Sequence, residues 1–214
     1  MSDIAKNGNR AEKVLGQQPS IKQALEKYFQ KPILTITTIP GRKKSDNTIE
    51  FNDGTKIHFQ NKDGDGSGRG WSVDRREATD HGQNADLHTL LKSVCLRGNT
   101  TRPEVGAQVS HQVLETCILG SDDTFKPAFI THTVSDKTTG TITKLSICPT
   151  PIFMQTLQSE VYEKMVPKRT CVHISPSMYL QRKGGGKTDN NPDHIQAKFK
   201  LNAKIAALFQ ELSL

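Results

Sequence analysis

Apolar and polar positions alternate along residues 48–51 and again along 55–59, and the two runs are separated by Asn52-Asp53-Gly54, a strong hairpin signal. The loop length decides which side chains meet. A two-residue Asp-Gly turn would set Ile49 against His58 and Phe51 against Lys56, mixing apolar with polar on both faces. A three-residue loop with Gly54 as a left-handed bulge residue sets Phe51 against Thr55 and Ile49 against Ile57, so one face is apolar throughout. The second register is the expected one. Upstream, Ser20 is suited to cap a helix through Phe29, with Ile21, Leu25 and Phe29 on one stripe. The β-branched run 33–39 reads as a strand stopped by Pro40-Gly41.

The same periodicities predict helices over 85–96 and from Pro103 to about residue 119, strands over 125–134 and 141–148, and a helix from Thr150 stopped by Pro167. A strand bent near Pro176 is expected over 171–181, then a long polar loop, RKGGGKTDNNPD, and a closing helix over 202–212. These elements describe an α/β protein with a mixed central β-sheet flanked by helices. A boundary near residue 120 would separate a core (1–120) from a C-terminal lobe (121–214) packed on the same fold.

Continuing the hairpin register outward sets Asp46 opposite Gln60, on the face that also carries His58 and Lys62. A carboxylate, an amide and an ammonium then meet beside a loop with glycines at 64, 66, 68 and 70. A carboxylate oxygen suits Mg²⁺, a hard cation that keeps several waters. The metal acidifies a bound water, and a lysine can orient that water and offset charge on a phosphate. Glycines admit a close backbone approach to a nucleic-acid strand. An ordinary exposed hairpin with mixed charges is the plainer alternative.

Ser45-Asp46, thirteen residues, then Gln60-Asn61-Lys62 resembles the SD…QxK variant of the PD-(D/E)XK nuclease signature. The pattern is similar to that of monomeric type II restriction endonucleases of the MspI and HhaI kind. Residues 73–76 (VDRR) and 179–200 also resemble segments of that group. The resemblance implies a restriction-endonuclease-like fold whose C-terminal half recognises DNA. It implies Mg²⁺-dependent hydrolysis of double-stranded DNA at a short GC-containing palindrome by a monomer or weak dimer. Asp46 and Gln60 would hold the metal, with Gln60 orienting it or the scissile phosphate, Lys62 would position the attacking water, and Ser45 would cap or support Asp46. Glu12 or Glu26 could add a further carboxylate from a helix leading into the sheet, the alternative for each being a surface charge. Gln60 stands where the family pattern has an acid, so it can offer only a neutral oxygen.

Charge points to the same partner. Residues 164–204 hold nine Lys and Arg against two Asp, equal to the whole +7 of the 214-residue chain. Clustered cations bind polyanions by releasing counterions. Arg75 and Arg76 suit phosphate clamping. Gln181, Arg182, Lys183, Lys187, Asn190, Asn191, Gln196 and Lys198 bracket the polar loop with side chains that can contact phosphates or read base edges. Pro192-Asp193 with Gln196-Ala197-Lys198 mimics the nuclease motif in miniature, but two residues between Asp193 and Gln196 leave no room for a strand to turn, which assigns this segment to binding. GGGKT lacks the first glycine of a nucleotide-binding loop. The four cysteines form no CxxC and are expected as buried thiols. Hydrophobic content of 34%, no apolar run near the roughly 20 residues of a membrane span and no signal-peptide pattern describe a soluble cytoplasmic protein. The rival reading is a non-catalytic DNA- or RNA-binding protein.

Overall fold

The structure is a computed structural model, and it describes residues 13–40, 45–64, 71–76, 85–95, 103–120, 123–136, 138–168, 171–183 and 194–214. Two compact units divide the chain, one built from 1–67, 119–153 and 203–214, the other from 68–118 and 154–202.

The first unit holds a six-stranded mixed sheet in the order β1-β2-β3-β5-β6-β11. Its strands are β1 (Ile33–Thr38), β2 (Asn47–Phe51), β3 (Lys56–Asp63), β5 (Phe129–Ser135), β6 (Ile142–Pro149) and β11 (Gln210–Leu212). All neighbours are antiparallel except β3 and β5, which run parallel. Parallel neighbours need a long crossover, and residues 64–128 provide it. Because β5, β6 and β11 complete the sheet begun by β1 to β3, the compact units interleave along the chain and do not part at residue 120.

Helix α1 (Pro19–Phe29) packs Ile21, Ala24 and Leu25 into a buried cluster with Ile33, Ile36, Ile49, Phe51, Phe59, Ile142, Leu145, Ile147 and Leu212. Its N-cap is Gln18, not Ser20. The Gln18 amide exchanges two hydrogen bonds with the main chain of Ile142, tying the helix start to β6. At the other end Gln30 is left-handed, and Glu26 accepts the Ile33 N–H at 2.8 Å, starting β1.

The second unit carries an antiparallel five-stranded sheet, β4-β10-β9-β8-β7. The strands are β4 (Trp71–Arg76), β7 (Val166–Lys168), β8 (Cys171–His173), β9 (Met178–Lys183) and β10 (His194–Phe199). Val172, Met178, Leu180, Ile195, Ala197 and Phe199 are buried on one face, as period-two alternation requires. Helices α2 (Ala85–Val94) and α3 (Ala107–Leu119) lie in this unit's part of the chain, and α4 (Thr150–Gln158) spans the change from one unit to the other.

Several expected elements differ. Helix α3 begins at Ala107 because Val105 and Ala107 bond to Met165 and Glu163, holding 103–106 extended. Helix α4 stops at Gln158, and Pro167 lies within the edge strand β7, where its missing N–H is tolerated. The closing helix is a single turn, α5 (Ala203–Ala206), after which β11 pairs with β6 and buries Leu212. Among the described residues no helix is long and apolar enough to cross a membrane.

Candidate active site and basic sheet face

The hairpin adopts the three-residue loop. Gly54 is left-handed at φ 82°, Phe51 N–H donates to the Thr55 carbonyl at 2.9 Å, and Ile49 pairs with Ile57. The Asp53 carboxylate caps the turn through the N–H and hydroxyl of Thr55. The Lys31 ammonium and these bonds hold its pKa down at about 2.

Beyond the Asn47–Phe59 pair the ladder changes. The Asp46 N–H donates to the Phe59 carbonyl at 3.0 Å and its carbonyl accepts from Ile39 at 2.8 Å, so the main chain of Asp46 is held from both sides. Its carboxylate Oδ2 then accepts the backbone N–H of Asn61 at 2.8 Å. Asn61 stands between Gln60 and Lys62, so this bond brings the Asp46 carboxylate to the middle of the Gln-Asn-Lys step. The buried Ser45 hydroxyl donates to the Phe125 carbonyl at 2.6 Å. It therefore anchors the main chain that carries Asp46 and does not cap the carboxylate.

Strand alternation sets His58, Gln60 and Lys62 on the face opposite Phe59 and Asn61. Gln60 is 3% exposed and pairs with Ile130, while Lys62 is half-buried and pairs with His132. His132 donates from Nε2 to the Gly64 carbonyl at 2.7 Å, and the Gly64 N–H donates to Thr133 at 2.9 Å. Burial pushes the His132 pKa below its ordinary value, with Lys144 acting the same way against the Gly64 carbonyl and Asp63. His58 is also lowered, by burial and then Lys56, and its Nδ1 meets the Thr48 hydroxyl at 2.8 Å.

The other face of β3 is polar at this end as well. Asn61 exchanges side-chain bonds with Thr131 and Thr133, and Asp63 accepts from the hydroxyls of Thr133 at 3.0 Å and Ser135 at 2.7 Å. Neither His132 nor Asp63 was picked out from the sequence. The available signal was the alternation of Thr131, Thr133 and Ser135 in an otherwise apolar strand.

The donors near the Gln-Asn-Lys step are oxygens: the Asp46 carboxylate and the Gln60 amide. Among the described residues no group of three or more His, Cys, Asp or Glu could hold a metal ion. A cation bound by one or two protein oxygens and otherwise by water fits Mg²⁺. Of the two further candidate carboxylates, Glu26 is committed to the Ile33 N–H, and Glu12 lies outside the described residues. The glycine-rich loop beyond residue 64 lies outside them too.

In the second sheet, Gln181, Gln196 and Lys198 are half-buried on the face opposite the apolar one. Gln196 pairs with Gln181 on one side and with Arg75 on the other. Arg76 and Arg182 both pair with the buried Ile195, and Lys183 pairs with His194. Lys187, Asn190 and Asn191 lie outside the described residues. Residues 194–199, which follow the polar loop and which the sequence assigns to binding only, form the interior strand β10, so Gln196 and Lys198 share one face of one strand. Of the four cysteines, Cys95, Cys117 and Cys148 are buried thiols and Cys171 is half-buried. Burial raises Cys148 to about 11.

No protein-family model and no curated protein matches the chain. Among solved structures it is similar to the crystal structure of restriction endonuclease MspI in complex with its cognate DNA, with a TM-score of 0.41 and 13% identity over 85% of this chain and 76% of that one. A TM-score of this size assigns neither residues nor chemistry.

Proposed function

We propose that the chain is a Mg²⁺-dependent endonuclease acting on double-stranded DNA, with Asp46, Gln60 and Lys62 as its reacting centre and the five-stranded sheet as its principal DNA-binding element. The observation that carries this reading is the hydrogen bond that holds the Asp46 carboxylate against Asn61, between Gln60 and Lys62. Asp46 and Gln60 supply oxygen ligands, and the main-chain bonds of Asp46 fix where its carboxylate stands. When bound, the metal acidifies a coordinated water and stabilises negative charge on the phosphate. Lys62 orients the attacking water and faces the charge that develops on the scissile phosphate. Ser45 keeps the Asp46 segment in place through Phe125. Cleavage at a short GC-containing palindrome by a monomer or weak dimer in the cytoplasm is the narrower form of the proposal.

A long duplex DNA incubated with the protein in Mg²⁺ and in EDTA, beside a Lys62→Ala variant, tests it. Discrete fragments that need Mg²⁺ and vanish in the variant support the reading. DNA left intact but retarded in a gel by both proteins would leave the binding protein and remove the nuclease.

A further inference from the structure

The polar face of the five-stranded sheet is not uniform. One cross-strand row runs Cys171, Gln181, Gln196. The next runs His173, Tyr179, Lys198, where the His173 ring stacks on Tyr179 with centroids 5.3 Å apart and planes at 26°. Lys200 follows directly on β10 and places its Nζ 5.9 Å from the Tyr179 ring centre. Lys168 ends the edge strand β7, where it pairs with Cys171 at the end of the first row, and both lysines are exposed.

The charge around this second row is one-sided. The ionised groups that lower the His173 pKa, after burial, are Lys200 and then Lys168. Among the described residues neither lysine pairs with a carboxylate, whereas the exposed Lys164 of the same unit is paired with Glu104 at 2.9 Å. Two ammonium groups with no carboxylate partner among the described residues thus stand beside an imidazole and a phenol. Lysine is a flexible point charge and carries little base-edge selectivity, so the patch suits phosphates better than bases.

We infer that His173, Tyr179, Lys168 and Lys200 form a contact site for the sugar-phosphate backbone of duplex DNA, bordering the amide pair of Gln181 and Gln196. This rests on the reading that DNA is the partner, and it joins His173 and Tyr179, which charge clustering does not single out, to two lysines of the basic segment. Tyr179, stacked on His173 and covered by Lys200, is held in place, so its hydroxyl is a pre-positioned donor to a phosphate oxygen. Because the contact is to phosphate, it acts on every sequence alike.

Fluorescence anisotropy with a labelled random-sequence duplex in EDTA, so that no strand is cut, tests the site across a salt series. Wild type is compared with the Lys168→Ala/Lys200→Ala double variant, whose exposed positions leave the buried face of the sheet intact. Each phosphate contact contributes about 0.9 to the slope of log affinity against log salt. The double variant should bind more weakly on all sequences, with a slope lower by about 1.8. Wild-type binding with an unchanged slope in the double variant overturns the inference, even if Mg²⁺-dependent cleavage is present. No duplex binding by wild type overturns it together with the DNA reading. A lower slope in the double variant, together with duplex DNA left intact by wild type in Mg²⁺, would uphold the patch and remove only the nuclease.

Discussion

The Asp46 carboxylate accepts the backbone N–H of Asn61 at 2.8 Å, the position at which a continuing β-ladder would present a main-chain carbonyl. One side chain therefore ends a strand pair and, in the proposed reaction, holds a cation. The two roles separate by substitution. Asp46→Asn keeps an oxygen for the Asn61 N–H and removes the charge. It should fold with nearly wild-type stability and lose at least about a hundredfold in Mg²⁺-dependent cleavage, since even residues behind metal ligands are worth 10–100-fold. Asp46→Ala leaves a half-buried donor without its acceptor and should cost about 1–3 kcal/mol as well. Equal cleavage by Asp46→Asn and wild type would remove Asp46 from the reaction.

Much of this geometry was legible because local chemistry dictates it. Only glycine takes the left-handed bulge position cheaply, so Gly54 fixed the register as far as Asn47–Phe59, which brings Asp46 to the Gln60–Lys62 end of β3. What escaped depended on distant partners. Residues 194–199 follow a Gly/Lys/Asn-rich stretch that reads as loop, and β10 is a strand because β4 and β9 flank it. Ile205, Leu208 and Leu212 have helical spacing, but Leu212 is buried by pairing with β6. His132 faces Lys62 only because β3 and β5 pair in parallel across a 65-residue crossover, a contact no local pattern announces. Glu26, by sequence either a metal ligand or a plain surface charge, serves the first amide of β1.

Ser45 should matter through the main chain and not through the metal. Its buried hydroxyl bonds the Phe125 carbonyl at 2.6 Å. Ser45→Ala removes that hydrogen bond and should cost about 0.5–1.5 kcal/mol, lowering Tm by roughly 2–4 °C per kcal/mol for a chain of this size. Thermal unfolding followed by circular dichroism measures it. A variant with unchanged Tm but abolished cleavage would instead place Ser45 at the reacting centre.

Two glycines should respond to alanine for different reasons. At Gly54 an added Cβ meets nothing within 4 Å, so the cost is that of the left-handed backbone alone, about 1–2 kcal/mol. At Gly16 the Cβ would fall 2.5 Å from the Ile36 carbonyl oxygen, a main-chain atom that cannot swing aside. Gly16→Ala should therefore be the more damaging change, displacing the chain ahead of α1 from β1. Urea unfolding of both variants gives the order, and a larger loss at Gly54 would contradict this packing.

His132 ties stability to pH with a definite sign. Burial lowers its pKa in the folded protein, while an unfolded chain takes up the proton near pH 6.5. Below that pH the unfolded state binds more protons than the folded one. Stability should thus fall as the solution is acidified from about 6.5 toward the lower folded pKa, and stay level with respect to this group above it. His173 adds a change of the same sign. His132→Gln keeps an N–H able to reach the Gly64 carbonyl but cannot titrate. Urea midpoints measured from pH 8 to pH 5 should decline less in this variant than in wild type, the window stopping short of the pH at which most carboxylates protonate. Parallel curves for the two proteins would mean that His132 is protonated equally in both states, and the 2.7 Å bond to Gly64 would then have to hold a charged ring.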